Sequence, residues 1–514
     1  MSINIFCVYA VIALLAVGAG FLLEKINCRK INQYAPRITL YLILLFFLAY
    51  SALSCWRFYH LIYGMTDFGA FDDMLRNLAF FKGFLRSSTG GYDEHFNLLL
   101  IVFAPLYWVW DSPYMLLIAQ AGVMTAAAYP LFLLGQKKFK HNLPALLLVC
   151  LYLFNPYFSR YILYEFHAGC LFPLLFFSAF LALEYGRRKT FLLLLFLAPA
   201  AKESFVIVLI ACGLFLLTFR KYRREGAICL FFAVFWTVFV TKIWFPHIVP
   251  LNYHHSDRYP PIFVGGIWLT LQNCWNIFLR AVTFNGFAVF GSFLLAFSFL
   301  PLLSPRALIF LCGPVLLIQL CSINGHQQLV MSHYSDGCNI VFPIAAAYGL
   351  VNFRRIKFKS LYRRRVCRSC LFTFPLFTHI FLCDLAMVKY HNYINGFKLD
   401  RQLGLLSIPF NIKYLDYKHP AFFHEIRNII PPRCSIVAQN NLCCFFIRTN
   451  PVYGLPGPDN MDFYIFDADS YDGFDNLKLL KARLDGLERN PLYVCIVAKN
   501  GYFVFCRKAL LKRK

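Results

Sequence analysis

The chain has 514 residues, of which 59% are hydrophobic, 18% aromatic and only 15% charged. A soluble chain of this length carries about a quarter charged residues, so the composition excludes a soluble globular protein and points to a polytopic membrane protein. The net charge of +25 does not indicate a nucleic-acid partner, because the basic residues fall in short clusters between apolar runs, the positive-inside pattern of membrane topology.

Residues 3–23 are apolar, with no Lys or Arg before them and Lys25, Arg29 and Lys30 after them. This predicts an uncleaved helix with its N-terminus outside. Segments 24–37, 136–141, 187–189, 220–224, Arg306 and 354–368 hold 4, 3, 3, 4, 1 and 8 Lys or Arg, together 23, against 9 in the intervening loops up to residue 388. The asymmetry makes these segments cytoplasmic. It predicts about twelve crossings, at 3–23, 38–56, 114–135, 142–158, 169–186, 190–201, 203–219, 226–246, 284–303, 307–323, 339–353 and 370–388. Nineteen cysteines are scattered, many inside apolar runs, where they behave as small hydrophobes. Cys367 and Cys370 have CxxC spacing but no second pair nearby, and their spacing is read as incidental.

The stretch Thr66–Arg76 follows the apolar run Ile38–Trp56 directly and places Asp67, Asp72 and Asp73 at a membrane exit. Carboxylates there are expected to face water, a cation or a substrate. A helix over 70–80 puts Asp72 and Asp73 in its first turn, where the dipole favours negative charge, so acidic capping is the simpler reading. His95–Trp110 is too short and Pro-broken for a good span and reads as interfacial or re-entrant. Thr190–Phe219 is flanked by basic clusters but is shorter than the roughly 40 residues that two crossings need, so its tip, Lys202-Glu203, stops below the outer surface. The remaining polar sites are Tyr164-Glu165-Phe166-His167 and His333-Tyr334-Ser335-Asp336. Topology puts Asp67, Asp72, His95, Glu165, His167, Lys202, Glu203 and His333 on one side.

After residue 388 charged residues, Pro, Gly and Asn return. Strands are predicted at Ser435–Ala438, Cys444–Arg448, Phe463–Phe466, Tyr493–Ala498 and Tyr502–Cys506, and helices at Ala421–Ile430 and Asn476–Glu488. Lys499-Asn500-Gly501 is a hairpin signal. The fold class expected is an all-α polytopic membrane domain with a small C-terminal α/β extracytoplasmic domain. Its parts are an N-terminal helix and basic loop (1–37), a multi-spanning domain (38–388) with outer loop 57–113, and the C-terminal domain (389–514).

Several of these elements resemble the DUF2079 family of polytopic prokaryotic membrane proteins. Its F-D-L-G-x-F-D-Q motif reads here Thr66-Asp67-Phe68-Gly69-Ala70-Phe71-Asp72-Asp73, and its H-F…P-L-Y element is His95-Phe96…Pro105-Leu106-Tyr107. F-H-P is similar to Phe166-His167-Ala168, K-E-D to Lys202-Glu203-Ser204, and H-Y to His333-Tyr334. The stretch Ile430–Asn440 is also similar, and the likeness runs from about residue 40 onward. Thr66, Asp73, Ala168 and Ser204 depart from the pattern, and Asp73 adds a carboxylate where the family has an amide.

The family in turn resembles the GT-C class of multi-spanning, lipid-carrier-dependent glycosyltransferases, with an acidic residue in the first large outer loop and a terminal outer domain. That resemblance implies transfer of a sugar from a polyprenyl-phosphate donor to a glycan, lipid or protein acceptor outside the cytoplasmic (inner) membrane. Asp72, or else Asp67, would be the base, and Lys202, oriented by Glu203, would meet the donor phosphate. Glu165, Tyr334 and the histidines His95, His167 and His333 would bind substrate, or the histidines with the aspartates would ligate a divalent cation. The alternatives are a transporter or lipid flippase using the same charges as a path, or a non-catalytic scaffold; no internal repeat and no paired broken helices are visible in the sequence, which counts against transport.

Overall fold

The computed structural model describes residues 28–83, 95–248, 266–328, 330, 332–356, 371, 373, 419–468 and 477–511. The predicted first span, 3–23, lies outside them, as does nearly all of 370–388. The N-terminal part is helical. Its main helices are α1 (Cys28–Tyr59), α2 (Ala70–Ala79), α3 (Pro113–Ala126), α4 (Ala128–Phe139), α5 (Asn142–Leu153), α6 (Pro156–Tyr164), α7 (Phe172–Glu184), α8 (Arg188–Leu197), α9 (Val206–Leu217), α10 (Arg223–Phe239), α11 (Gly266–Ala281), α12 (Phe284–Ala296), α13 (Gly313–Leu320) and α14 (Cys338–Arg355). Helix α1 turns Leu40, Tyr41, Leu44, Leu45 and Leu48 outward, and α10 does the same with Phe231, Val234 and Phe235, as lipid-facing helices do.

The expectation of about twelve crossings is corrected. Among the described residues three helical stretches are long and apolar enough to cross a bilayer: Lys30–Tyr59, Pro113–Phe139 and Arg220–His247. Two bent pairs, α5 with α6 (47°) and Trp268–Ala281 with α12 (59°), raise this to five. The other apolar helices, Leu98–Val109, Ala168–Glu184, Glu203–Leu217 and Pro305–Leu320, have 10–17 residues. At about 1.5 Å per residue these fall short of a hydrocarbon core of roughly 30 Å. Apolar composition runs on through Asn155-Pro156, Ala198–Ala200 and Ser304-Pro305, but the helices do not.

Polar contacts tie the predicted cytoplasmic segments together. Asn32 accepts the Asn142 and Leu143 N–H groups (3.0 and 2.9 Å), and Arg354 donates to the Phe139 carbonyl (2.7 Å). Lys138 pairs with Glu184 and lies over the Tyr348 ring, while Arg188 pairs with Glu225 at 2.9 Å. Glycines let the helices approach closely. A Cβ on Gly349 of α14 would lie 1.9 Å from the Leu300 carbonyl oxygen, and one on Gly226 would lie 2.8 Å from that of Gly213.

The C-terminal part carries helices α15 (Pro420–Ile429), α16 (Asn440–Cys443) and α17 (Leu477–Arg489) around strands β1 (Ile436–Ala438), β2 (Val452–Gly454), β3 (Phe463–Asp467), β4 (Tyr493–Lys499) and β5 (Tyr502–Arg507). The sheet order is β2-β1-β3-β5-β4, with β1 parallel to β2 and β3, and β5 antiparallel to β3 and β4. Asn500 (φ 54°) and Gly501 (φ 78°) supply the two positive-φ residues of a tight hairpin turn. The period-2 alternation divides the sheet: Val437, Tyr464, Phe466 and Phe505 pack on Leu480 and Leu487 of α17. Ile436, Ala438, Phe463, Ile465, Val504 and Cys506 join the core of the helical part. The strand expected at Cys444–Arg448 is not formed; that stretch follows α16 as a run of turns, and the strand comes later, as β2.

Gly349→Ala is expected to cost about 1–3 kcal/mol by overpacking against the Leu300 backbone, lowering the thermal unfolding midpoint of the detergent-purified protein. Gly486→Ala, where a Cβ would meet nothing within 4 Å, is the matched control and should not lower it.

Candidate functional site

Helix α2 begins at Ala70, as the sequence predicts, with Asp72 and Asp73 in its first turn. Neither faces water: each is only 1% exposed. Asp72 is gripped by Arg448 from beyond α16, with Nε–Oδ2 and Nη2–Oδ1 both 2.6 Å, and the Tyr107 hydroxyl donates to its Oδ1 at 2.8 Å. Arg448 also reaches Asp111 (3.0 Å), which Arg76 of α2 holds at 2.7–3.1 Å. The hydrogen bonds from Arg76 keep the Asp111 carboxyl, in the loop before α3, below the usual carboxylate range. Both oxygens of Asp72 are therefore engaged in a buried, charge-assisted pair, the geometry of an anchor rather than of a base awaiting a proton.

Asp67 lies differently. Residues Met65–Gly69 form one π-helical turn ahead of α2, and Asp67 is half-buried within it. Beside it is Glu165, in the connection after α6, which accepts the N–H groups of Gly64 (3.2 Å) and Phe68 (2.9 Å). Burial first, and then the neighbouring Asp67 carboxylate, push the Glu165 carboxyl well above its ordinary range, against the backbone N–H groups and Arg57. Gln120 of α3 fixes this connection: its amide donates to the carbonyls of Ile162 (3.2 Å) and Glu165 (2.8 Å) and accepts the His167 N–H (2.9 Å). Nothing in the sequence marks this glutamine, which sits in an apolar helix without a motif.

His167 and His333 meet ring to ring at 3.9 Å, with Tyr164 stacked on His167 at 5.5 Å and Tyr334 against His333 at 4.1 Å. Among the described residues the buried Nε2 of His167 has no hydrogen-bond partner. Burial, then the fields of Lys202 and His95, hold His167 well below its usual pKa, so it is neutral. Lys202 is buried and pairs with Asp336 (Nζ–Oδ2 3.4 Å), whose Oδ1 accepts the Gly337 N–H at 2.7 Å. This corrects the expectation that Glu203 orients Lys202. Glu203 engages His95 instead, with Nδ1–Oε1 at 2.7 Å, and accepts the Phe96 N–H at 3.0 Å. Lys202 is extended (φ −162°) and Glu203 opens the next helical turn, so adjacent residues serve different partners.

Three helical segments begin at this cluster: Ala168–Leu171 leading into α7 after His167, Glu203–Phe205 leading into α9 after Lys202, and α14 after Gly337. Their N-terminal N–H groups and dipoles favour negative charge at the same end of the bundle as Lys202. Among the described residues no group of three or more His, Cys, Asp or Glu is arranged to hold a metal ion. The divalent cation considered from the sequence therefore has no ligand set there.

Removing one partner of the buried Asp72–Arg448 pair is expected to cost about 3–5 kcal/mol, since the other charge stays buried. Asp72→Asn and Arg448→Met should each lower the unfolding midpoint strongly. The double variant should cost less than their sum, which a double-mutant cycle measures.

The family described as "Predicted membrane protein (DUF2079)" matches residues 57–472, which include every residue of this cluster and Arg448. No curated protein matches the chain. With more than half of its length covered, from the end of α1 to just beyond β3, the chain belongs to the DUF2079 family of predicted membrane proteins.

Proposed function

We propose that the protein is a GT-C-like membrane glycosyltransferase that moves a sugar from a polyprenyl-phosphate donor to a glycan, lipid or protein acceptor at the end of the bundle opposite its basic segments. The positive-inside pattern supports assigning that end to the outside of the cytoplasmic membrane. One observation carries the reading: buried Lys202, the unpartnered Nε2 of His167 and three helix starts gather beside a carboxylate pair, Asp67 and Glu165. The first group suits a departing phosphate, and the second suits removal of a proton from a hydroxyl acceptor.

In this scheme the acceptor oxygen attacks the anomeric carbon and its proton passes to Asp67. The bond from that carbon to the phosphate oxygen breaks, and the phosphate leaves with the electron pair towards Lys202. Asp336 orients Lys202, Glu203 orients His95, and His167, His333 and Tyr334 line the approach. Asp67 takes the base role in preference to Asp72, whose oxygens are held by Arg448 and Tyr107.

A strain lacking the protein should accumulate an unconsumed polyprenyl-phosphate sugar and lose one envelope glycan or glycolipid, as read by lipid and glycan profiling. Wild type should restore both. Lys202→Met should not, and Asp67→Asn should fall by about 10²- to 10⁴-fold in rate, the usual cost of a lost general base. An unchanged profile of lipid-linked sugars in the deletion strain would overturn the reading.

A further inference from the structure

The turn that carries Asp67 is held from two sides by side chains distant in sequence. Glu165 takes the N–H groups of Gly64 and Phe68 from the helical part. Asn440, the first residue of α16, takes the next two: its Oδ1 accepts from Met65 and from Thr66, both at 3.1 Å. The approach is close enough that a Cβ on Gly64 would lie 2.1 Å from the Asn440 Nδ2. The rest of the same short segment runs alongside. Asn441 donates to the Leu61 carbonyl (3.0 Å), Cys444 Sγ reaches the Tyr63 carbonyl (3.3 Å), Phe445 stacks on Phe58 (4.5 Å, 8°), and Arg448 closes on Asp72.

A π-helical turn leaves N–H groups at its start that the helix itself cannot satisfy, and one side-chain oxygen serving two of them fixes the turn's orientation. A turn without that acceptor would relax towards the regular helix that follows it, rotating Asp67 relative to Glu165. We propose that Asn440 of the C-terminal part is a positioning residue for the Asp67–Glu165 carboxylate pair, so that the reaction centre is incomplete without the C-terminal part. The claim rests on the reading of Asp67 as the reacting carboxylate, but its geometry stands without that reading. The C-terminal part then works as a splint along residues 61–72, and its attachment sets the geometry of the site.

The test uses the full chain in lipid nanodiscs, with hydrogen exchange read over residues 62–70 and over α5 as an internal control. Asn440→Ala should speed exchange of the Met65 and Thr66 amides by about tenfold or more while α5 is unchanged. Asn440→Asp, which keeps an acceptor oxygen, should restore protection. Gly64→Ala, which pushes Asn440 away, should reproduce the Asn440→Ala pattern. The infrared carboxyl or carboxylate stretch of Glu165, assigned by its loss in Glu165→Gln, should shift in Asn440→Ala, because its neighbour has moved. Unchanged exchange over 62–70 together with an unshifted band would overturn the proposal. If exchange and band change as stated but Asn440→Ala still fully restores the deletion strain, the positioning holds and the role of Asp67 as reacting carboxylate fails.

Discussion

Arg448 lies between two carboxylates at the seam of the helical and C-terminal parts, and its burial constrains the rest of the structure. A guanidinium withdrawn from water costs several kcal/mol unless charge and hydrogen bonds replace the solvent. Here Asp72 takes two of its nitrogens, Asp111 a third, and the Tyr107 ring lies under its plane at 5.6 Å. Arg76 completes the group, so two cations face two anions and the network is neutral. With Arg448 seated, the segment from Asn440 is drawn along the C-terminal end of α1 and the turn before α2. There Asn440, Asn441, Cys444 and Phe445 find their partners. Within the acidic stretch Asp72 fastens the parts together, while Asp67 lies beside Glu165.

The broken helices have a matching role. A continuous helix at positions 142–164 would carry Glu165 onward along the same axis. The 47° bend at Asn155-Pro156 instead brings α6 across the bundle and delivers Glu165 and His167 to the cluster. The helical segments after His167, Lys202 and Gly337 begin at the site rather than beyond it, and their N-terminal dipoles favour negative charge there. Helices too short to span become intelligible if their ends are needed at that depth, where irregular backbone is tolerated only against protein or a hydrated cavity.

How much of this was legible in the sequence depends on the range of each interaction. Local signals were reliable: the start of α2 at Ala70, the turn at Asn500-Gly501 and the helix α17 with its apolar face all follow from short-range chemistry. Asp67, Glu165, His167, Lys202 and His333 lie near one another, but the twelve-span topology from which the sequence grouped them is not the one the helices form. Pairings within the group did not follow. Lys202 and Glu203 are neighbours in the chain, yet their partners are Asp336 and His95, far away in sequence. Arg448, read as part of a strand, is the cation that holds Asp72 across 376 positions. Gln120 carries no pattern at all. The span count failed for a different reason: apolarity reports where a chain is buried in protein or lipid, not whether its helix is continuous.

The account holds that the cluster is a site for an anionic lipid headgroup, completed by the C-terminal part. The most direct measurement is an electron cryo-microscopy structure of the full chain in nanodiscs containing a polyprenyl-phosphate sugar. The account predicts headgroup phosphate density within hydrogen-bond reach of Lys202 and His167, the sugar towards Asp67, and Arg448 still seated on Asp72. A headgroup bound at the end where Lys138, Glu184 and Arg354 meet, or a substrate-wide path open through both ends of the bundle, would contradict it.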